Sequence, residues 1–118
     1  MCSLLAEAGV NAYPVLISAG DNRTNYFIED FANNYFNHVI ACVPQPKDTI
    51  WLECTSQTSP FGYLSAFTAN RKALMISPGG GYVVNTPNYS SSKNLQKREV
   101  SATIDMEGTL KASMNTFY

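Results

Sequence analysis

The chain carries a single histidine, His38, at the start of an apolar segment, and a carboxylate, Glu53, at the end of the next one. If the two segments pair as a β-hairpin, the carboxylate can accept a hydrogen bond from one imidazole nitrogen and so fix the tautomer of the ring. The other nitrogen is then left to take a proton from a nucleophile, as in the triads that carry out acyl transfer. The pair therefore predicts general-base chemistry. The simpler alternative, one histidine paired with one acid on a strand surface, stays open at this point.

The hairpin of residues 37–55 has two candidate registers. Pairing Val43 with Asp48 leaves a four-residue loop, a common hairpin length, and brings His38 opposite Glu53. A slip of one residue gives equally apolar pairs but puts His38 and Glu53 on opposite faces, because side chains alternate along a strand. Hydrophobicity alone leaves both registers open.

Two further side chains of this hairpin are candidates for binding a substrate. Asn37 stands immediately before the histidine, and Trp51, the only tryptophan of the chain, lies on the strand that ends at the acid. A tryptophan on a strand also commonly anchors the core or its rim, so that role is the alternative for Trp51.

The three cysteines, Cys2, Cys42 and Cys54, give no signature of a metal site or a disulfide framework. Their number is odd, and their spacing matches no zinc motif. Cys42 and Cys54 lie in strand patterns, where a cysteine behaves as a small apolar residue, although a bridge between the two is possible. We predict no metal and no cofactor.

Composition and charge narrow the class of protein. With 118 residues the chain has the length of one ordinary domain, and 45% hydrophobic residues suffice for a buried core. The net charge is −1 and no basic run is longer than Lys97-Arg98, which argues against nucleic acid or an anionic membrane as the main partner. No apolar stretch approaches the roughly 20 residues of a membrane span. The N-terminus also lacks the basic and long apolar segments of a signal peptide.

The fold class that these patterns predict is α+β and mostly β, with a short N-terminal helix packed on an antiparallel sheet and β-hairpins after it. The helix is expected to end at Gly9, because glycine favours the left-handed conformation that follows many helices. In chain order we expect a helix at 1–8, a strand at 12–18, a long loop up to the hairpin of 37–55, an irregular stretch at 57–71, and strands at 73–77 and 82–86 around Pro78-Gly79-Gly80-Gly81.

The last stretch of the chain alternates between apolar and polar residues and predicts one more hairpin. A three-residue loop, Glu107-Gly108-Thr109 with Gly108 left-handed, keeps the apolar residues of both strands on one face. A lone hairpin buries too little to stand unaided, so we expect it to add to another sheet or to belong to a domain whose remainder is absent. We therefore expect both ends of the chain to be truncated, and the exposed strand edges favour a homo-oligomer. The apolar set is Val100, Ala102, Ile104, Met106, Leu110, Ala112 and Met114.

Several segments occur in the same order as in a known family. They are GVNAYPVLI, FNHVI, IWLECTS with PFGYL, and NRKALMIS leading to VVNTP. On these segments the chain resembles bacterial transglutaminase-like proteins of the papain-like transglutaminase/protease superfamily, and the resemblance covers nearly the whole chain. It implies a partial transglutaminase-like core at 1–70, a strand pair and linker at 71–94, and the first hairpin of a truncated β-domain at 95–118. It also implies a parent protein of the periplasm or cell envelope that acts on a peptide or protein substrate.

The resemblance also assigns roles to the candidate residues. The family uses a cysteine at the start of a helix, a histidine that starts the next strand, and an Asp that closes the strand after it. His38 is then the general base, and Glu53 holds the place of the usual Asp. The nucleophile is expected upstream of Met1, at the N-terminus of the helix, whereas Cys2 lies near the wrong end of that helix. We therefore expect a fragment of a cysteine acyl-transferase or protease that lacks its nucleophile and is inactive as this chain.

Two other functions stay open. The first is a non-catalytic papain-like scaffold that serves as an interaction or surface-binding module, and a parent helix without a cysteine would establish it. The second is a minimal hydrolase formed by Cys2, His38 and Glu53. Acylation of Cys2 that depends on His38 would support this second alternative.

Overall fold

The computed structural model describes residues 1–20, 36–57, 59–93 and 95–117. These residues belong to two compact units, Met1–Asn88 and Tyr89–Tyr118. The described chain is mostly β, with antiparallel sheets and one short N-terminal helix, so the coarse fold class predicted from the sequence is confirmed. Apart from its ends, the long loop predicted ahead of the first hairpin lies outside the described residues.

The elements of the first unit are, in chain order, α1 (Cys2–Glu7), β1 (Tyr13–Ile17), β2 (His38–Pro44), β3 (Thr49–Leu52), β4 (Lys72–Ser77) and β5 (Gly80–Asn85). The five strands form one antiparallel sheet in the order β3-β2-β1-β4-β5, with β1 at its centre. The strand pair predicted within 71–94 belongs to this sheet, because β4 pairs with β1. The boundary between the two compact units falls after Asn88.

Helix α1 ends as its sequence predicts. Gly9 has a φ of 76°, and the N–H groups of Gly9 and Val10 donate to the carbonyls of Ala6 and Leu5 at 2.9 and 2.8 Å. These two bonds form a Schellman motif, which satisfies carbonyls of the last helical turn. No residue of α1 is buried, and within the helix Cys2 and Leu5 are partly covered.

The core lies on one face of the five-stranded sheet, which we call the inner face. Side chains alternate along each strand, so the registers bring the buried ones together. The irregular stretch 59–71 contributes Leu64 and Thr68, both 0% exposed. The opposite face is apolar but more open, with Val39 55% exposed. The strand residues buried on the inner face are Val15, Ile17, Ile40, Cys42, Trp51 and Ala73.

The β2–β3 hairpin has a register that differs from both of those considered above. Its pairs are Ala41 with Leu52, Cys42 with Trp51, Val43 with Ile50 and Pro44 with Thr49. The predicted pairing of Val43 with Asp48 is therefore wrong by two residues. Because a shift of two residues keeps each side chain on its face, His38 and Glu53 still lie on the same side of the sheet.

The turn between these strands explains the shift. The N–H of Gln45 donates to the carbonyl of Asp48 at 2.7 Å, which leaves Pro46 and Lys47 at the tip. Proline presets the φ angle that the first tip residue of many tight turns requires. The sequence pattern predicts Pro44 in the loop, whereas Pro44 is the last residue of β2.

The second unit contains a 3₁₀ turn (Ser91–Lys93) and the strands β6 (Lys97–Ile104) and β7 (Leu110–Phe117), which form a two-stranded antiparallel sheet. Alternation along the two strands separates a polar face from an apolar one. The apolar face, which we call the hairpin face, consists of Val100, Ala102, Ile104, Leu110, Ala112 and Met114.

The loop of this second hairpin is longer than predicted. Gly108 is left-handed, with a φ of 84°, as expected. However, Ile104 pairs with Leu110, so the loop has five residues rather than three. The Asp105 carboxylate accepts the N–H groups of loop residues at 3.1 and 2.8 Å, which stabilises the wider turn.

Candidate functional site

His38 and Glu53 contact each other at the open end of the β2–β3 hairpin. His38 begins β2, and Glu53 follows the last residue of β3. Nε2 of His38 lies 3.0 Å from Oε2 and 3.2 Å from Oε1 of Glu53. The two side chains are 16% and 4% exposed, so the contact is largely shielded from solvent. The structure thus brings together the two residues that the sequence singled out, while their catalytic roles stay a prediction.

The contact runs diagonally across the hairpin. In the observed register Glu53 follows the pair formed by Leu52 and Ala41, and it therefore lies level with Ile40 rather than with His38. Diagonal neighbours on one face of a sheet are separated by roughly 7–8 Å, a distance that long side chains can span. Glutamate has one methylene more than the Asp that the resemblance leads one to expect, and this extra length suits the diagonal geometry.

Thr55 also holds the Glu53 carboxylate. Its hydroxyl and its N–H donate to Oε1 of Glu53 at 2.7 and 3.2 Å. Burial alone raises the pKa of the carboxyl, but the bonds from Thr55 and His38 outweigh burial and hold this pKa below its usual value of 4.5. An ionised carboxylate has no proton to donate, so in the neutral ring Nε2 carries the hydrogen and Nδ1 keeps the lone pair. Nδ1 is therefore the ring atom that can accept a proton.

Phe67 packs against the imidazole ring. The two ring centroids are 5.5 Å apart and the ring planes meet at 68°, an edge-to-face arrangement typical of aromatic pairs. Phe67 is 46% exposed, so it covers one side of the His38 ring while reaching the surface itself. The phenyl ring and the carboxylate together restrict the orientation of the imidazole.

Asn37 fixes the backbone where the chain enters β2. Its Oδ1 accepts the N–H of Ala19 at 2.7 Å, and its Nδ2 donates to the carbonyl of Ala19 at 3.0 Å. The side-chain amide thereby imitates a strand partner and ties the chain beyond β1 to the residue before His38. In this structure Asn37 positions the backbone ahead of His38. The sequence predicts a substrate contact for Asn37 and not this backbone role.

Arg71 joins the end of β1 to the stretch that carries Phe67. The residue is 7% exposed, and its guanidinium donates four hydrogen bonds of 2.6–3.1 Å to backbone carbonyls. Charge-assisted bonds of this kind are stronger than neutral ones, so the cluster fixes both loops. The accepting carbonyls belong to Ser18, Gly20, Ala66 and Ala69.

Two buried threonines lie next to this cluster and differ in their hydrogen bonding. The Thr86 hydroxyl lies 2.9 Å from the carbonyl oxygen of Thr68 and 3.1 Å from that of Arg71, and it accepts the N–H of Arg71 at 3.1 Å. The Thr68 hydroxyl has no hydrogen-bond partner among the described residues, although Thr68 is 0% exposed. Leaving a buried polar group without a partner costs about 1–3 kcal/mol.

Trp51 is part of the core. It is 6% exposed and pairs with Cys42 across the hairpin. These observations agree with the core alternative that the sequence analysis kept open for Trp51. The side chain offers little surface for the substrate contact that was also predicted.

The three cysteines are free thiols, so the possible bridge between Cys42 and Cys54 is not formed. Cys2 is partly exposed, Cys42 buried and Cys54 exposed. Burial, and then the nearby Cys2 thiol, raise the pKa of the Cys42 thiol, which disfavours the reactive thiolate. In the part of the chain that the structure describes, none of the three thiols hydrogen-bonds to His38.

Within the described ranges, no group of three or more His, Cys, Asp or Glu side chains is arranged to hold a metal ion. The helical residues seen in the same ranges include no helix with the length and apolar character needed to cross a membrane.

Three residues around the site were missed by the sequence analysis: Thr55, Phe67 and Arg71. A local signal for Thr55 was present, because a hydroxyl residue two positions after a carboxylate can bond back to it. Phe67 and Arg71 act on residues far away in the sequence, and no local periodicity reports such contacts.

Comparisons with known proteins give no match: no family model, no curated protein and no solved structure is significantly similar to the chain.

Proposed function

We propose that the chain carries the general base and the orienting acid of a transglutaminase-like cysteine acyl-transferase or protease, on part of a papain-like core. The observation that carries the proposal is the contact of His38 Nε2 with both carboxylate oxygens of Glu53. This contact assigns the lone pair to Nδ1, and among the described residues no hydrogen bond to Nδ1 is present. The order of a histidine at a strand start and an acid after the next strand also agrees with the family pattern.

The proposed reaction has an acylation half and a deacylation half, and in each of them His38 first accepts a proton and then donates it. A cysteine thiol of the natural protein gives its proton to Nδ1, and the thiolate attacks the carbonyl carbon of a peptide or side-chain amide. The tetrahedral intermediate collapses to a thioester, and the leaving amine takes the proton from Nδ1. Water or a second amine then gives a proton to Nδ1 and attacks the thioester, and the departing thiolate recovers that proton. Water as acceptor gives hydrolysis, and an amine gives a cross-link.

Glu53 has two tasks in this scheme. It holds the tautomer with hydrogen on Nε2, and its negative charge stabilises the imidazolium that forms when Nδ1 takes a proton. Thr55 and Phe67 support these tasks, since one orients the carboxylate and the other limits rotation of the imidazole. Holding the imidazole and the carboxylate in this way meets the preorganisation requirement for the base and the acid.

A non-catalytic interaction module is the second candidate function. It is favoured by the observation that, within the described residues, no cysteine thiol hydrogen-bonds to His38. In that case the His38–Glu53 pair is a structural contact that closes the end of the hairpin.

Acylation of the natural protein that carries this sequence distinguishes the two functions. The protein is treated with p-nitrophenyl acetate at neutral pH, and mass spectrometry locates the acetyl group. We expect one cysteine to be acetylated, at a rate that His38→Ala lowers by roughly 10²–10⁴-fold, the usual contribution of a general base. Glu53→Gln should give a loss of similar order because the tautomer is no longer fixed, again roughly 10²–10⁴-fold. Glu53→Asp should also slow the reaction, because the shorter side chain does not span the diagonal.

The matched control is Glu99→Gln, which removes an exposed carboxylate of the second unit that pairs with Lys97. Its acetylation rate should equal that of the parent. Acetylation that is unchanged in His38→Ala would contradict the proposed base. If no cysteine is acetylated, the interaction module is the better description.

A further inference from the structure

The hairpin face of the second unit is apolar over the three cross-strand pairs nearest the turn and is open to solvent. Its four large side chains, Val100, Ile104, Leu110 and Met114, are 61%, 72%, 64% and 61% exposed. The other face of the same two strands is polar and carries, among others, Lys97, Glu99, Ser101, Ser113 and Asn115. A two-stranded sheet is marginally stable alone in water, and an open apolar surface of this extent marks an interaction site.

The shape of the hairpin face follows a large–small–large pattern. Three cross-strand pairs make up the face: Val100 with Met114, Ala102 with Ala112, and Ile104 with Leu110. The alanine pair therefore forms a notch between two ridges of large side chains. Neighbouring pairs on one face are two residues apart, which is about 7 Å along the strands.

We propose that the hairpin face is the contact surface between two copies of this chain. The twofold axis crosses the strands between the alanine pair and the Ile104–Leu110 pair. It places the Ile104–Leu110 pair of each copy over the alanine notch of the other. Twofold contacts use the same patch on both partners, so a face with a ridge next to a notch is complementary to itself under this rotation. Packing large side chains into small ones is also how facing sheets reach the density of a protein interior.

Arg98 decides between the two possible positions of the axis. It lies on the same side of the hairpin as the apolar face, paired with Thr116 next to the Val100–Met114 pair. If the axis lay between the alanine pair and Val100–Met114, each Arg98 would lie over the apolar Ile104–Leu110 pair of the other copy and lose its contact with water there. Burying an unpaired charge is unfavourable. The axis on the turn side leaves Arg98 at the two ends of the contact, in solvent.

The available area is sufficient for such a contact. In this arrangement the turn of each copy faces the Val100–Met114 pair of the other. If each large side chain then loses roughly 100 Å² of exposed apolar surface and each alanine about half of that, a dimer buries on the order of 1,000 Å² in total, which is near the lower limit for specific interfaces. An interface of this size predicts a dimer that forms in the micromolar range rather than an obligate one.

Sedimentation equilibrium of the full 118-residue chain across the micromolar range tests the proposal. We expect a monomer–dimer equilibrium that Ala102→Lys weakens by at least roughly 100-fold, because the ammonium group is placed in the centre of the contact. Ser101→Lys is the matched control. It adds the same charge one residue earlier, on the polar face, opposite Ser113 instead of Ala112, and should leave the dimerisation constant within about threefold of the parent value.

A third variant separates loss of the contact from loss of the hairpin. Ala102→Leu keeps an apolar residue in the strand but fills the notch, so we expect it to weaken the dimer by about tenfold even though it adds apolar surface. A chain that stays monomeric overturns the proposal, as does a dimer that survives Ala102→Lys, which points to pairing through strand edges. A dimer that becomes tighter in Ala102→Leu overturns the twofold arrangement.

Discussion

The two buried threonines next to the Arg71 cluster give a sharp test of the described packing. Replacing threonine by valine removes a hydroxyl and keeps the shape of the side chain, so the same change at Thr68 and at Thr86 isolates the worth of each hydroxyl. Thr86 makes three short contacts through this group, whereas the Thr68 hydroxyl has no hydrogen-bond partner in the described part of the chain. The structure therefore predicts opposite results for the same chemical change.

The expected magnitudes follow from the cost of unmade hydrogen bonds. Thr86→Val takes a partner from a buried N–H and from a buried carbonyl, and should lower the free energy of unfolding by about 2–3 kcal/mol. Thr68→Val removes a desolvated hydroxyl that makes no bond, and should leave the free energy of unfolding unchanged or raise it by up to about 1 kcal/mol. A gap of about 2 kcal/mol between the variants corresponds to a difference of roughly 8–16 °C in Tm for a unit of this size.

Trp51 makes the measurement direct. It is the only tryptophan of the chain and is 6% exposed in the core of the five-stranded sheet, so its fluorescence in urea reports the unfolding of the first unit. Fits of the two variants and the parent with a common m-value give the three free energies. Equal destabilisation by both substitutions would refute the reasoning, because the Thr68 hydroxyl would then have to form a bond worth as much as those of Thr86.

Three further outcomes are expected. The contacts of Glu53 hold its pKa below 4.5 in the folded state. These contacts therefore stabilise the fold fully above pH 4.5, and this stabilisation is lost as the pH falls through the folded pKa. Urea midpoints should drop more steeply with falling pH in the parent than in Glu53→Gln. Asn37→Ala removes both hydrogen bonds to Ala19, so it should lower the free energy of unfolding by about 1–2 kcal/mol and speed amide hydrogen exchange at Ala19. Unchanged exchange at Ala19 would contradict the role of these two bonds. Gly108→Ala should weaken the second hairpin by about 1–2 kcal/mol, because Gly108 has a φ of 84°, which an alanine adopts only with strain. The added Cβ itself meets no atom within 4 Å. NMR shifts of β6 that stay at parent values would argue against this turn.

The fold was predictable where the determinants are local. Gly9 marks the end of α1, and alternating apolar residues mark the strands, because both depend on the conformation of a few neighbouring residues. The register of the first hairpin was not predictable in the same way, since it depends on whether the tip is centred on Pro46 and Lys47 or earlier, and the apolar pairs are acceptable in either case. The central position of β1 depends on a pairing with β4 that joins residues far apart in sequence.

The candidate site was likewise predictable only in the part that local determinants fix. The approach of His38 to Glu53 survived an error of two residues in the register, because face alternation has a period of two and glutamate is long enough to reach a diagonal neighbour. The supports of that pair were not foreseen. Phe67 and Arg71 come from the irregular stretch between β3 and β4, where sequence carries no periodic signal.

The two hydrogen bonds between Asn37 and Ala19 have a mechanical consequence. The side-chain amide of Asn37 holds both the N–H and the carbonyl of Ala19, so a displacement of either residue breaks two bonds rather than one. A movement of the chain just beyond β1 is therefore resisted at Asn37, one residue before the imidazole of His38.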